Sequence, residues 1–172
     1  PHDIAPEGSY INDIRLSPDG RHAFISESGL GAIIVIDIFG EQLRRVLADH
    51  PSTKGHAEKT PVIDGRPWLV QETGEPLVVH CDGIAVSPDG EWVYYQAISN
   101  DQLYRVPTAA LSDFGASEDM IAANVEHLGT APVTDAGLLY FSTAMIHRTP
   151  RFSPDGTWPD EPFRIWSHPL AE

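Results

Sequence analysis

Ser17-Pro18-Asp19-Gly20 recurs as Ser87-Pro88-Asp89-Gly90, an offset of 70 residues (87 − 17), and the offset holds without a gap on both sides of the turn. Asn12 falls on Asp82, Ile14 on Ile84, Leu16 on Val86, Phe24 on Tyr94, Ile25 on Tyr95, Ile33 on Leu103 and Ile36 on Val106. In such a turn Pro presets φ at the second position and Gly takes positive φ, so each copy predicts a strand, a tight turn and a second strand. Working outward from the first copy, residues 11–16, 21–26, 32–38 and 42–47 read as four strands, with turns at 28–31 and at Gly40. The third is apolar on both faces, as expected of a strand sandwiched in a core. The fourth carries Arg44 and Arg45 and suits an outer edge. Four antiparallel strands in about 40 residues is the size of one β-propeller blade. A β-sandwich with two similar hairpins is the competing architecture, but a sandwich needs no gapless repeat.

The whole chain, 1–172, is expected to be a single propeller segment, all-β, with blade-like units at about 9–48, 81–130 and 131–168. Between the first two lies an insertion, 49–80, rich in Pro, Gly and charge, with a predicted hairpin (67–71, turn at 72–75, 77–80). In the second unit residues 116–123 predict one helical turn N-capped by Ser117, and 125–128 close the blade. A third partial copy is visible in Leu139-Tyr140-Phe141 and in Ile146-His147-Arg148-Thr149-Pro150, which echoes Leu103-Tyr104-Arg105-Val106-Pro107. There the arithmetic fails. Asn12 to Phe24 and Asp82 to Tyr94 span 12 positions, whereas Asp135 to Tyr140 spans 5, seven fewer. The third blade is therefore expected to be shortened, and the Ser153-Pro154-Asp155-Gly156 that follows is read as a fortuitous loop copy. About three blades fall below the four or more that usually close a ring, so the sequence predicts a fragment, or a ring completed by self-association through open blade edges.

Composition bounds the function. The 172 residues carry 11 Lys+Arg against 25 Asp+Glu, a formal charge of −14, which argues against nucleic acid or an anionic membrane as partner. At 41% hydrophobic and 21% charged the chain can build a core. Its single cysteine, Cys81, excludes an internal disulfide and a cysteine zinc cage; it reads as a small buried apolar residue. The longest apolar run, residues 32–36, is too short to span a bilayer.

With those elements in place, a family likeness emerges. Tyr10-Ile11-Asn12-Asp13-Ile14-Arg15-Leu16 followed by Ala23-Phe24-Ile25-Ser26-Glu27-Ser28-Gly29 resembles the bacterial branch of the major royal jelly protein/yellow family. So do Asp82-Gly83-Ile84-Ala85-Val86-Ser87-Pro88, Tyr94-Tyr95, Leu103-Tyr104-Arg105-Val106-Pro107 and Tyr140-Phe141-Ser142-Thr143. That family is similar in fold to gluconolactonase and the senescence-marker lactonases, which are six-bladed propellers. The resemblance implies a six-bladed parent lacking about two N-terminal blades here, with a further stretch missing after Gly137. It also implies an exported, extracytoplasmic protein.

Propellers bind ligands where inner strands begin, at the channel mouth. The repeat places Asn12 and Asp82 at equivalent positions there, with Asp135 a third candidate, Asp13 exposed on the same loop, and Asn100 a further ligand-binding candidate. Oxygen ligands at Asn12, Asp82 and Asp135 suit Ca²⁺ or another divalent cation, which takes six to eight oxygens at about 2.3–2.6 Å. The resemblance implies the same: in the lactonase branch Asn-Asp, Asn-Gly and Asp-Gly motifs help to bind the metal with a glutamate from the first blade. Asn12 matches one position, Asp82 stands for an asparagine, and Ala136 stands where glycine is expected. Against this, Asn and Asp at strand starts often cap turns through their own backbone. Asp19, Asp89 and Asp155 are read as turn formers; Trp92, Tyr94, Tyr95 and Phe141 as interblade core; and His80 alone among the histidines as more than a surface or packing residue. The expected function is binding of a polar or amine-like small molecule at the mouth. The alternatives are a Ca²⁺-dependent lactonase and a non-catalytic protein-interaction propeller.

Overall fold

The structure, a computed structural model, describes residues 4–63 and 65–130. The expected third blade (131–168), Asp135, Phe141 and the copy at Ser153-Pro154-Asp155-Gly156 lie outside the described residues.

The repeated turn is reproduced bond for bond. In the first copy Gly20 N–H donates to the Ser17 carbonyl at 2.9 Å, His22 N–H to Ser17 Oγ at 2.9 Å, and Arg21 N–H to Asp19 Oδ1 at 3.0 Å. In the second, Gly90, Trp92 and Glu91 make the same three bonds to Ser87 and Asp89 at 2.9, 2.9 and 3.0 Å. Gly20 and Gly90 have φ of 69° and 77°, which residues with a Cβ rarely adopt. Asp19 and Asp89 are turn formers, and their neighbouring serine hydroxyls, first of several donors, hold both carboxyls below the usual range.

From each turn a four-stranded antiparallel sheet unfolds in chain order. The first comprises β1 (Ile11–Leu16), β2 (His22–Glu27), β3 (Ala32–Asp37) and β4 (Gln42–Val46). The second comprises β7 (Cys81–Val86), β8 (Trp92–Ala97), β9 (Gln102–Pro107) and β10 (Glu126–Thr130). The sheets meet through their first strands, β7 packing on β1 and β2. Phe24, Ile33, Val35 and Val46 of the first sheet join Ile84, Val86, Val93, Tyr95 and Val106 of the second in one core. Two consecutive meanders stacked in this way form a partial β-propeller, all-β in class.

Between β9 and β10 run two single-turn helices, α1 (Thr108–Ser112) and α2 (Glu118–Ala122). Ser117 caps the second by accepting from Met120 N–H at 3.3 Å, as its sequence predicts. Leu111 and Ile121 complete the core. The loop between the helices holds the edge of the first sheet: Arg44 donates to the Asp113 and Ala116 carbonyls at 2.8 and 3.2 Å, and Leu47 N–H to the Glu118 carboxylate. β4 is the outer strand of the first sheet, as its polar residues suggest, but the Arg45 guanidinium turns inward: its side chain is 9% exposed and pairs with fully buried Glu27 at 2.6 Å, because the pleat alternates and turns Arg45 to the opposite face from Arg44.

The insertion divides in two. Its first part is built into the seam between the sheets: Thr53 Oγ1 donates to the Leu47 carbonyl at 2.8 Å, His56 N–H to the Ser99 carbonyl at 2.7 Å, and Ser52 Oγ bridges His50 Nδ1 and Tyr95 OH at 2.7 Å each. The second part holds a short hairpin, β5 (Val62–Ile63) and β6 (Arg66–Pro67), earlier than the one predicted at 67–80. The predicted pairing survives only as a bridge from Leu69 to Pro76. Pro76 lacks an N–H donor, which limits how far a regular ladder can extend there. Residues 77–80 lead instead into β7, with His80 N–H donating to the Ser28 carbonyl at 3.0 Å.

Candidate functional site

Both inner strands begin with the same irregularity. In β1 the register passes from Ile11–Glu27 to Ile14–Ile25, leaving Asn12 and Asp13 opposite one residue, Ser26. In β7 it passes from Cys81–Ala97 to Gly83–Gln96, leaving Asp82 without an opposite partner. Such one-residue bulges bend a strand and re-aim its side chains. Here they turn the equivalent positions of the two repeats toward each other: Asn12 Nδ2 donates to Asp82 Oδ2 at 2.5 Å. Two of the three expected cation ligands are therefore in contact.

The electrostatics favour a proton at Asp82. Burial, then the charge of Asp13, push its carboxyl up to about 6, against the opposing hydrogen bonds of Ser28 and Asn12. Asp13 is tied down by Arg15 at 3.1 Å and by its own N–H, which donates to Ser26 Oγ at 3.2 Å. Asn12 is exposed, while Asp13 and Asp82 are half-buried. The arrangement is a polar site with the Asp13 carboxyl paired to Arg15, the Asp82 carboxyl whose pKa burial raises to about 6, and an amide that can donate or accept.

Beneath it lies a residue the sequence did not single out. Glu27 Oε1 accepts N–H bonds from Tyr10, Gly29 and Leu30 at 2.8, 2.8 and 3.0 Å, while Oε2 accepts from Arg45. Burial pushes its carboxyl up, but the bonds from Tyr10, Leu30 and Arg45 outweigh that and hold it below the usual range. Glu27 thus fixes the start of β1 and the loop carrying Ser28. The only available signal was an acid and a base 18 positions apart, which becomes a pair only once β2, β3 and β4 are in register.

The remaining sequence candidates fall elsewhere. Asn100 is buried, its Nδ2 donating to the Lys54 carbonyl at 3.0 Å and its Oδ1 accepting from Gln102 N–H at 3.2 Å, so it secures the insertion. His80 accepts Gly55 N–H through Nδ1 at 2.9 Å, and burial, then Lys54, lower its pKa. Cys81 is free and fully buried, and burial drives its thiol upward. Tyr95 is core, whereas Trp92 lies on the opposite face of its sheet under Arg105, 3.8 Å from ring centroid to guanidinium. Among the described residues no three His, Cys, Asp or Glu side chains gather as a metal cluster, and no helix is long and apolar enough to cross a membrane.

No family model matches the chain, and no curated protein does. The royal jelly/yellow resemblance therefore rests on the quoted motifs alone. Among solved structures the chain is similar to a Kuenenia stuttgartiensis hydrazine synthase, with 10% identity and a TM-score of 0.44 over 73% of this chain and 37% of that one. It is also similar to a Staphylococcus aureus virginiamycin B lyase, with 12% identity and a TM-score of 0.40 over 77% of this chain and 31% of that one. The chain spans about a third of the length of each.

Proposed function

We propose that this partial propeller binds a polar, amine-like small molecule at the bulged starts of β1 and β7. The observation that carries the reading is the Asn12–Asp82 hydrogen bond, which joins two positions related by the 70-residue repeat at one end of the inner strands. A bound ammonium group would take the place of the proton on Asp82 and be shared with Asp13, and its binding would strengthen as pH rises through about 6. The test is a thermal-shift and NMR titration with a panel of small primary amines, on the wild type and on Asp82→Asn. Saturable binding by the wild type, weakened at pH 5 and absent in Asp82→Asn, supports the reading. No binding by any amine to a folded sample removes it.

A second reading has its own observation. Asp13 raises the pKa of Asp82, and a divalent cation would relieve that repulsion in place of the proton. The described residues supply Asn12 and Asp82 as oxygen ligands, with Asp13 beside them. That falls short of the six to eight oxygens Ca²⁺ takes unless Asp135 and solvent contribute. In this reading the chain is the metal-binding part of a Ca²⁺-dependent lactonase of the exported kind the resemblance implies. Calorimetric titration of Ca²⁺ into chelator-stripped protein decides it: tight one-site binding abolished by Asp82→Ala puts this reading first, and silence ends it.

A further inference from the structure

The first part of the insertion is tied into the seam by a histidine, at a position where an oxygen usually makes the tie. Pro51 opens the single 3₁₀ turn Pro51–Thr53 and has no N–H, so Ser52 N–H is the first donor that needs an acceptor. Serine, threonine, aspartate or asparagine commonly supplies one. Here the cap is His50, whose Nδ1 accepts Ser52 N–H at 3.2 Å and lies 2.7 Å from Ser52 Oγ. A backbone N–H can only donate, so Nδ1 carries no proton and the ring hydrogen sits on Nε2. The Ser52 hydroxyl, beside the same lone pair, donates to it as well, and Tyr95 OH donates to Ser52 Oγ at 2.7 Å. Ser52 is 1% exposed and Tyr95, on β8, is fully buried, so the chain of bonds runs into the second sheet. The segment is equally fastened to the end of the first. The Leu47 carbonyl accepts from Thr53 Oγ1 at 2.8 Å and from His50 N–H at 3.3 Å. Leu47 itself has φ of 55°, which a leucine keeps only where its surroundings over-determine it.

We propose that His50 is an acid-released latch: a proton on Nδ1 turns the acceptor of the cap into a donor, strands Ser52 N–H, and frees residues 50–56 from the seam between the sheets. The surroundings set the direction. Burial lowers the pKa of the imidazole from its ordinary 6.5, against the pull of Glu118. Glu118, the first residue of α2, is the carboxylate that favours the cation, and it already accepts Leu47 N–H. From β8 the ring meets the Tyr95 phenol through Ser52, and burial keeps that phenol neutral. Within the segment Asp49 and Lys54 lie 3.9 Å apart and offset each other. The folded state therefore binds this proton less tightly than the unfolded chain does. The cap contributes fully above about pH 6.5, and its contribution is lost as pH falls below that value.

The test is hydrogen exchange of the full chain at pH 7.5 and pH 5, on the wild type and on His50→Asn. Asparagine keeps an acceptor at the cap and takes no proton. His80, whose Nδ1 accepts Gly55 N–H, is the same in both proteins, so their difference reads His50 alone. The reporters are Thr53 N–H, bonded to the His50 carbonyl at 3.1 Å, and His56 N–H, bonded to the Ser99 carbonyl at 2.7 Å. After correction for intrinsic rates, protection at both should fall about tenfold in the wild type at pH 5, and less than about twofold in the variant. Should the variant fail to fold, nitrogen NMR of the wild-type imidazole gives a second reading. Nδ1 should be the unprotonated nitrogen at pH 7.5, and the imidazolium should appear only together with the loss of protection. Wild-type protection independent of pH, a variant that loses protection as the wild type does, or a proton on Nδ1 at pH 7.5 would each overturn the proposal.

Discussion

The two sheets share their turn, register and inner-strand bulge, and differ in what is added to them. In the first, β3 passes to β4 through a tight turn in which Asp37 Oδ1 accepts from Phe39 and Gly40 N–H at 3.2 and 2.9 Å. In the second, β9 passes to β10 through α1 and α2, which reach back and grip the edge of the first sheet. The repeat therefore specifies each blade, while the non-repeated segments specify how the blades are held together. The mouth follows the same logic. Its backbone is repeated, and its chemistry comes from where the copies differ, Asn12-Asp13 in the first against Asp82-Gly83 in the second.

The sharpest way to break the comparison is to make the same change at equivalent positions. Tyr95→Ala removes the largest fully buried side chain among the described residues and the partner of Ser52, and should destabilise by about 3–5 kcal/mol. Ile25→Ala, 70 positions earlier and half-buried, should cost about 1–2 kcal/mol. Urea unfolding followed by tryptophan fluorescence checks both. Equal costs would mean that the two positions are packed alike in spite of their different burial.

Next in size is the buried pair that the second sheet lacks. The offset places Ala97 where the first sheet has Glu27. Glu27→Gln keeps the shape of the side chain and leaves Arg45 uncompensated, for an expected loss of about 2–4 kcal/mol. Hydrogen exchange should show the loosening first at Tyr10, Gly29 and Leu30, whose N–H groups Glu27 accepts. Exchange that rises uniformly, or not at all, would deny Glu27 its role in shaping the mouth.

The mouth itself gives a pH-dependent prediction. The folded-state pKa of Asp82 lies above its unfolded value, so the folded state binds the proton more tightly. Its stabilising contribution is present below about pH 4 and is lost as pH rises through about 6. Asp82→Asn, which still accepts from Asn12, should therefore raise stability at pH 7 by about 1–2 kcal/mol, less than the full shift because solvent screens this half-buried carboxyl, and flatten the profile between pH 4 and 7. Asn12→Asp makes this one position identical in the two repeats and places two carboxyls in contact. It should lower stability at pH 7 and split their titration. An unchanged pH profile in both variants would remove Asp82 as a titrating group near neutrality.

How much of this was legible follows from the range of each interaction. Ser-Pro-Asp-Gly is self-contained chemistry, so the turns and the strands beside them could be read locally, as could Ser117 before Glu118 and Asp119. The Asn12–Asp82 contact was legible as well, because a gapless repeat carries one position onto the other. The bulges were not, since an extra residue exists only relative to the partner strand. The inward turn of Arg45 was not legible for the same reason: its pairing with Glu27 requires β2, β3 and β4 to be in register first. The grip of α1 and α2 on β4 joins residues about 70 positions apart with no shared pattern, and the early hairpin β5–β6 lies in a segment that has no counterpart in the other repeat.

The smallest expected effect is also the most direct measure of how alike the repeats are. Ser17 and Ser87 accept the N–H of His22 and Trp92 through Oγ at 2.9 Å each, and both are nearly buried. Ser17→Ala and Ser87→Ala each strand one backbone donor at the start of a second strand, for about 1–2 kcal/mol. If the repeat alone sets turn strength, the two losses should agree to within a few tenths of a kcal/mol, and in the double variant they should add, because turns making separate bonds behave independently. The Pro18 ring lies close to Gly90, within 3.0 Å of where a Cβ on that glycine would sit, so the turns also touch. A double-variant loss that departs from the sum by more than about 0.5 kcal/mol would show the contact to be energetic, making the stacked turns part of what holds the second sheet on the first.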